Sequence, residues 1–465
     1  MYRITRKRME EGKMVKNLTE GKPLKLLFFF ALPMVLGNLF QQLYNMVDSM
    51  VVGKFVGEDA LAAVGSSFPV VFLAVAIAAG LSMGCTVVIS QLFGAGQIRG
   101  MKTTISTALI ALGVIGLLIM GAGELISLPL LKLLGTDPEI MADSLVYLRI
   151  YFGGAVFLFL YNTLNGIYNA LGDSNTPLKF LMVSALTNIG LDLLFVIRFQ
   201  MGVAGVAWAT LIAQGMCAVI SFFVLMRRIG RMENEPAYAD EKPGLFEMAA
   251  VKRIARVGVP SMIQQSIVSL SMMMMQGLVN SYGKVFVAGY TAATKIDTLA
   301  MMPIVNFSNA MSSYTAQNIG AGKEERVKEG YKASLIMVLI FSVFITVVIF
   351  LFGPNLLGLF LNAGSAGSAM SYGLKYMKTV CVFYVLMGVL FVGNGLLRGA
   401  GDMAAFMFSS LSNLIMRVIV AYLLAHFIGS SAIWWSIPIG WAIGAVLSFL
   451  RVKSGKWKAK RLVEK

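Results

Sequence analysis

LLFFFALPMVLGNLFQQLYNMVDSMVVGKFVG, residues 26–57, sets one aspartate into an almost unbroken apolar run. After a short charged turn the chain continues ALAAVGSSFPVVFLAVAIAAGL, residues 60–81. About 20 apolar residues in a row suffice for a helix to cross the hydrocarbon of a bilayer. At the middle of such a helix an ionised carboxylate costs at least about 2.5–3.5 kcal/mol. Asp48 therefore calls for an explanation, and the rest of the chain supplies its setting.

Of the 465 residues, 57% are hydrophobic and only 13% charged. A water-soluble domain carries about 25% charged residues. Apolar runs recur at 24–52, 60–92, 102–123, 140–167, 178–198, 203–226, 253–280, 286–318, 331–352, 370–396, 403–424 and 432–451, broken by short polar turns. Their length and spacing read as twelve spanning helices of an all-α polytopic membrane protein. The first run follows a segment rich in Lys and Arg and lacks a small-residue cleavage pattern, so it is a retained helix. Cys85, Cys217 and Cys381 all fall inside apolar runs without metal-ligand spacing and read as buried thiols.

The formal net charge of +16 points to topology, not to nucleic acid. With the amino terminus in the cytoplasm, 30 of the 39 Lys and Arg residues lie on the cytoplasmic side. The opposite side holds Lys54, Lys132, Arg198 and Lys284, and Arg149, Lys295, Lys375, Lys378 and Arg417 fall within runs or at their ends. That asymmetry is the positive-inside pattern and places both termini in the cytoplasm. The basic segments face anionic lipid, so membrane lipid is an expected partner and nucleic acid is not.

The chain repeats itself. QLFGAG at 91–96 returns as QNIGAG at 317–322, and NGIYNALGD at 165–173 as NGLLRGAGD at 394–402. Pro33 and Pro260 open the two halves. Six helices per half is an even number, so both halves enter from the same side, as parallel repeats about an axis along the membrane normal. The expected organisation is a basic amino terminus (1–23), an amino-terminal lobe (24–226), a charged connector (227–252), a carboxy-terminal lobe (253–451) and a basic tail (452–465). Two six-helix lobes related by a pseudo-two-fold axis leave a cleft able to open to either side.

Within the spans, acids are few: Asp48, Asp192 and Asp297, with Glu124 at an end. Intramembrane acids read as functional by default. Runs one and five travel outward with Asp48 and Asp192 late in them, while runs four and six travel inward with Tyr147 and Thr210 early. All four therefore lie at similar depth in the outer part of the first lobe. Asn188 and Asp192, four apart, share a helix face. Two carboxylates, an amide, a phenol and a hydroxyl make an oxygen-rich set suited to protons or to a hard cation such as sodium. In the sodium case Asp48, Asp192, Asn188 and Thr210 are the metal ligands. Plainer readings compete: Asp48 as a helix end, Asn188 with Asp192 as interhelical glue, Thr210 bonded to its own backbone, Tyr147 as an interface aromatic.

The second lobe reads NLIMR where the first reads NIGLD, so Asn413 and Arg417 stand for Asn188 and Asp192. An arginine repels a cation, and no equivalent site is expected there. Asp297 and Lys295 are two apart and point to different helix faces. Gln41, Tyr44 and Asp48 form one stripe of the first helix, in which Pro33, Gly37 and Gly53 ease bending.

LYNMVDSMVVGKFVGEDALAAVG (43–65), QLFGAG (91–96), NALGDSNTP (169–177), NIGLD (188–192) and GVAGVAWATLIAQ (202–214) together resemble the multidrug and toxic compound extrusion (MATE) family of secondary transporters. The resemblance covers nearly the whole chain. It implies a V-shaped, two-lobed fold of twelve helices that exports cationic or amphipathic drugs in exchange for H⁺ or Na⁺. It further implies cation coupling through Asp48, Asn188, Asp192, Thr210 and Tyr147, and a substrate cleft including Gln41, Tyr44 and Asn165. Family branches with further acids in the seventh and tenth helices are not matched here.

The expectation is a secondary active efflux antiporter of the bacterial inner membrane. It is expected to act as a monomer on small-molecule drugs, without a cofactor beyond its coupling ion and without enzymatic activity. A lipid-linked oligosaccharide flippase is the alternative, for which Lys295 and Arg417 are the second lobe's only candidates as a basic cleft. The sole histidine, His426, leaves no His-based metal or triad chemistry, and no phosphate-binding G-x-x-x-x-G-K-[ST] loop occurs.

Overall fold

The computed structural model describes residues 17–234, 242–361 and 366–463. Residues 1–16 of the basic amino terminus, 235–241 of the connector and 464–465 of the tail lie outside the described residues. Among the described residues every regular element is a helix.

The helices are α1 (Pro23–Val51), α2 (Glu58–Ala95), α3 (Ile98–Leu133), α4 (Met141–Gly153), α5 (Ala155–Ala170), α6 (Asn175–Leu193) and α7 (Gly202–Ile229). Then come α8 (Met248–Asn280), α9 (Lys284–Gly320), α10 (Glu324–Gly358), α11 (Ala366–Cys381), α12 (Tyr384–Ala400), α13 (Met403–Ile428) and α14 (Ser431–Lys453). A 3₁₀ turn, Lys456–Lys460, follows with Trp457 buried under it.

Among the described residues fourteen helices make up the twelve expected spans, because the fourth and tenth are each broken. α4 and α5 meet at 50°, as do α11 and α12 at 53°. Eight helices are long and apolar enough to cross a membrane singly, ten counting each bent pair as one. The remaining two, α8 and α9, span 33 and 37 residues but carry more polar side chains.

The repeated motifs mark equivalent joints. Gly96 and Gly322, and likewise Gly172 and Gly401, adopt φ values of 77°, 72°, 75° and 84°. That left-handed region suits glycine, which has no Cβ to clash. The aspartate after the second pair is an ion-pair acceptor in both halves: Arg228 Nη1 meets Asp173 Oδ2 at 2.5 Å, and Arg451 Nε meets Asp402 Oδ2 at 2.7 Å. Asp173 Oδ1 also receives the backbone N–H groups of Asn175 and Thr176, capping α6.

Each half is held by the same helix crossing. Ser82 Oγ donates to Asn162 O at 2.6 Å, and Ser308 Oγ to Phe391 O, also at 2.6 Å. Opposite them stand Gly166 and Gly395. A Cβ built on Gly166 would lie 2.4 Å from Ser82 Oγ, and one on Gly395 would lie 2.3 Å from the Ser308 carbonyl oxygen. Without glycine these helices could not approach so closely.

Two compact units emerge from the packing, and their limits differ from the expected lobes. Of the described residues, unit 1 comprises Asn17 and those within 36–263, and unit 2 those within 18–35 and 264–463. The boundaries fall inside α1 and α8, just after Pro33 and Pro260, and not in the connector. The reason is in the lead-in segments. Leu18 N–H donates to Gln317 Oε1 at 2.9 Å, Asn318 Nδ2 to Leu18 O at 3.2 Å, and Lys323 Nζ to Thr19 O at 2.9 Å. These bonds fix the start of α1 in unit 2. In unit 1 the connector is held in the same manner, with Gly244 and Glu247 donating from backbone N–H to Thr103 Oγ1 and Thr107 Oγ1 at 2.9 and 3.0 Å.

Candidate functional site

α1 does not end at Asp48. It stays α-helical to Val51 and then widens into a π-turn, Val52–Val56. α6 does the same beyond Asp192, with a π-turn at Leu194–Arg198. Wide turns of this kind are rare and concentrate at functional sites. The two π-turns touch each other, which brings the acid-bearing ends of α1 and α6 together.

The side chains of Asp48 and Asp192 lie close enough to interact electrostatically. Asp192 is fully buried and Asn188 nearly so. Asn188 Nδ2 donates to Thr210 Oγ1 at 3.4 Å, tying α6 to α7. Asp48 Oδ1, both Asp192 carboxylate oxygens and Asn188 Oδ1 have no protein donor. The cluster thus gathers buried acceptor oxygens that no protein group satisfies.

Phenols surround the acids. Tyr44 lies beside Gln41 and within electrostatic range of both aspartates, as does Tyr147. Tyr151 stacks on Tyr147 with ring centroids 6.4 Å apart. Tyr161 stands beside Asn165 and in range of Tyr44. Gln41 is exposed, Tyr44 half-buried, and Asn165 half-buried with its Oδ1 unpaired. Its repeat counterpart, Asn394, is bonded to Ser409 and Ser410.

Toward the loop end of unit 1 an apolar cluster follows the acids in α1 and α6. Val51, Val52, Ala60, Tyr147, Val196, Val203, Val206 and Ala207 are buried together, with Val47, Val56 and Ile150 packed against them. This burial removes Tyr147 from the interface-aromatic reading, and the Asn188 bond engages Thr210 across helices. Pro33 lies elsewhere: it is buried in the part of α1 belonging to unit 2, and the helix runs through it without interruption.

Unit 2 contains an arrangement that the sequence did not disclose. Asp297 is buried and accepts hydrogen bonds from Tyr376 Oη at 3.0 Å and from Tyr384 Oη. Arg417 lies in electrostatic range, next to Tyr290. Lys295 turns away, its ammonium 5.6 Å from the centre of the Phe360 ring. Here, unlike in unit 1, the acid has protein donors on both oxygens. Nothing in the spacing of Asp297 announced its tyrosines, which come from α11 and α12. Among the described residues no group of three or more His, Cys, Asp or Glu side chains is poised for a metal ion. A sodium site would thus rest on two carboxylates supplemented by amide and hydroxyl oxygens.

The MatE family model matches the chain twice, at residues 33–194 and 260–423. The chain belongs to the MatE family. Both matches open at the prolines noted above, so the internal repeat is the MatE unit itself. The chain is 32% identical to the probable multidrug resistance protein YpnP of Bacillus subtilis over 447 residues, covering 96% of this chain and 98% of that one. It is 27% identical to the probable multidrug resistance protein YoeA of the same organism, covering 93% and 94%. A solved MOP superfamily transporter from Pyrococcus furiosus, described as having a binding pocket of reverse polarity, superposes with a TM-score of 0.86 at 26% identity, covering 95% and 98%. Membership of the MatE family makes this a multi-pass membrane protein of the multidrug efflux type.

Proposed function

We propose that this MatE protein is an antiporter that exports cationic or amphipathic compounds in exchange for H⁺ or Na⁺. The observation that carries the reading is the group of buried oxygens, Asp48 Oδ1, both Asp192 carboxylate oxygens and Asn188 Oδ1, that no protein donor satisfies. Leaving such oxygens unsatisfied costs about 1–3 kcal/mol each. A proton or sodium ion relieves that cost. Occupied and empty states of unit 1 then differ in free energy, and a ligand can shift a conformational equilibrium only through such a difference.

The coupling follows from where the cluster sits. Asp48 is one turn before the π-turn of α1, and Asp192 precedes that of α6. Drawing the two carboxyls onto one ion pulls these helix ends together; releasing the ion frees them. Gln41 and Tyr44 share the Asp48 stripe of α1, so movement there changes the polar surface offered to substrate. Drug and ion need not touch, because each favours a different state of the same element. Asn165 joins the substrate side through Tyr161. We place the protein in the bacterial inner membrane with cytoplasmic termini, acting as a monomer and without enzymatic chemistry.

The test is ethidium export from energised cells. Asp48→Asn at wild-type expression is expected to lower the initial rate at least about tenfold, the loss of about 1.4 kcal/mol of coupling or more. Export at the wild-type rate would remove Asp48 from the mechanism. The flippase alternative has no comparable support, since Arg417 lies beside Tyr290 and Asp297 inside unit 2.

A further inference from the structure

We infer that the seam between α10 and α11 in unit 2 is a headgroup site for an anionic phospholipid. Ser371, Lys375, Lys378 and Thr379 fall four, seven and eight residues apart on α11 and so form one stripe. They line a pocket of about 510 Å³ together with Met370 and Leu374. Both lysines and Ser371 are exposed.

The neighbouring helix shows what this pocket faces. Lys378 Nζ lies 5.7 Å from the centre of the Phe350 ring on α10. Phe350 belongs to a stripe with Ile340, Phe344, Val347 and Leu351, each about half exposed or more. Such a continuous apolar stripe on a spanning helix is a lipid-facing surface. Lys378 therefore opens toward lipid, and the exposed Lys375 precedes it by three residues on the same stripe of α11.

The same half of unit 2 offers these lysines no counter-charge. Among the described residues neither forms an ion pair with a carboxylate. The ring face of Phe350 stabilises one ammonium only in part. Phe350 lies 26 residues beyond Glu324, about 39 Å along the helix from the end that holds the amino-terminal segment. At that depth the anion available to a lipid-facing ammonium is a phosphodiester. Two lysines without a carboxylate favour a headgroup of net negative charge over a zwitterion, and the hydroxyls of Ser371 and Thr379 can donate to its oxygens. The site is independent of the ion cluster and of the transport reading.

Native mass spectrometry of the full-length protein, equilibrated with equal amounts of dioleoyl phosphatidylglycerol and dioleoyl phosphatidylcholine, tests the inference. Wild type is expected to retain phosphatidylglycerol preferentially. The double variant Lys375→Gln/Lys378→Gln is expected to lose that preference by about twenty-five-fold, about fivefold per lysine. Lys375→Arg/Lys378→Arg, which keeps the charge, should retain it. Equal preference in wild type and the glutamine pair would overturn the assignment. So would a loss of both lipids alike in the glutamine pair, or displacement of the retained lipid by soluble glycerol phosphate.

Discussion

Asp48 and Asp192 lie beside one another in this structure. Asp48 Oδ1 and both Asp192 oxygens lack a donor and the two side chains interact, so on the proposed reading a single shared ion serves both. Removing either acid dismantles the same site, and effects at a shared site do not add. Asp48→Asn, Asp192→Asn and the double variant should therefore export ethidium at similarly low rates, with the double no worse than the poorer single. An amide at either position also brings the missing donor. Asp192→Asn should stabilise the purified protein by about 1–3 kcal/mol, read as a raised thermal midpoint in detergent. A lowered midpoint would mean that the carboxylates already have partners. Period-four spacing in NIGLD and the matching depths of Asp48, Tyr147 and Thr210 made this cluster legible in the sequence. Tyr151, Tyr161 and the tyrosines on Asp297 were not, because periodicity tells which face a residue shares but not which helix lies opposite.

At the scale of elements, apolar length placed the helices and repeated glycines placed their joints. The breaks within the fourth and tenth spans escaped notice. Gly154 marks the first, but Phe383 stands near the second, so composition gave no common signal. The π-turns were equally silent, since VGKFV and LFVIR resemble any apolar helix end. The crossing glycines allow a sharper test. An added Cβ at Gly395 meets a backbone carbonyl, which cannot move aside, whereas at Gly166 its nearest neighbour is the Ser82 hydroxyl, which can turn away by giving up its bond to Asn162. Gly395→Ala should cost about 1–3 kcal/mol and Gly166→Ala less. Gly113→Ala, with nothing within 4 Å, serves as the neutral control in the same thermal melts. Equal effects at Gly166 and Gly395 would show that the crossings yield more easily than the contacts imply.

For the whole molecule, charge asymmetry and repeat symmetry carried most of the architecture. Two MatE units are visible as QLFGAG and QNIGAG before any coordinate is consulted. The exchange of segments was not visible: the start of α1 belongs to unit 2 because Gln317, Asn318 and Lys323 grip the backbone of Leu18 and Thr19. Such side-chain-to-backbone grips leave no pattern in hydropathy. The proposed orientation has its own check in intact cells. Lys54→Cys and Lys284→Cys should react with a membrane-impermeant maleimide added outside, and Lys252→Cys and Lys328→Cys only after permeabilisation. The native cysteines, all fully buried, should stay silent. The reverse labelling pattern would invert the topology. The most direct test of the central claim is ion counterflow in liposomes holding the purified protein. Ethidium movement should drive an opposing flux of H⁺ or ²²Na⁺, and Asp48→Asn and Asp192→Asn should each abolish it. Undiminished coupled flux in either variant would contradict the account.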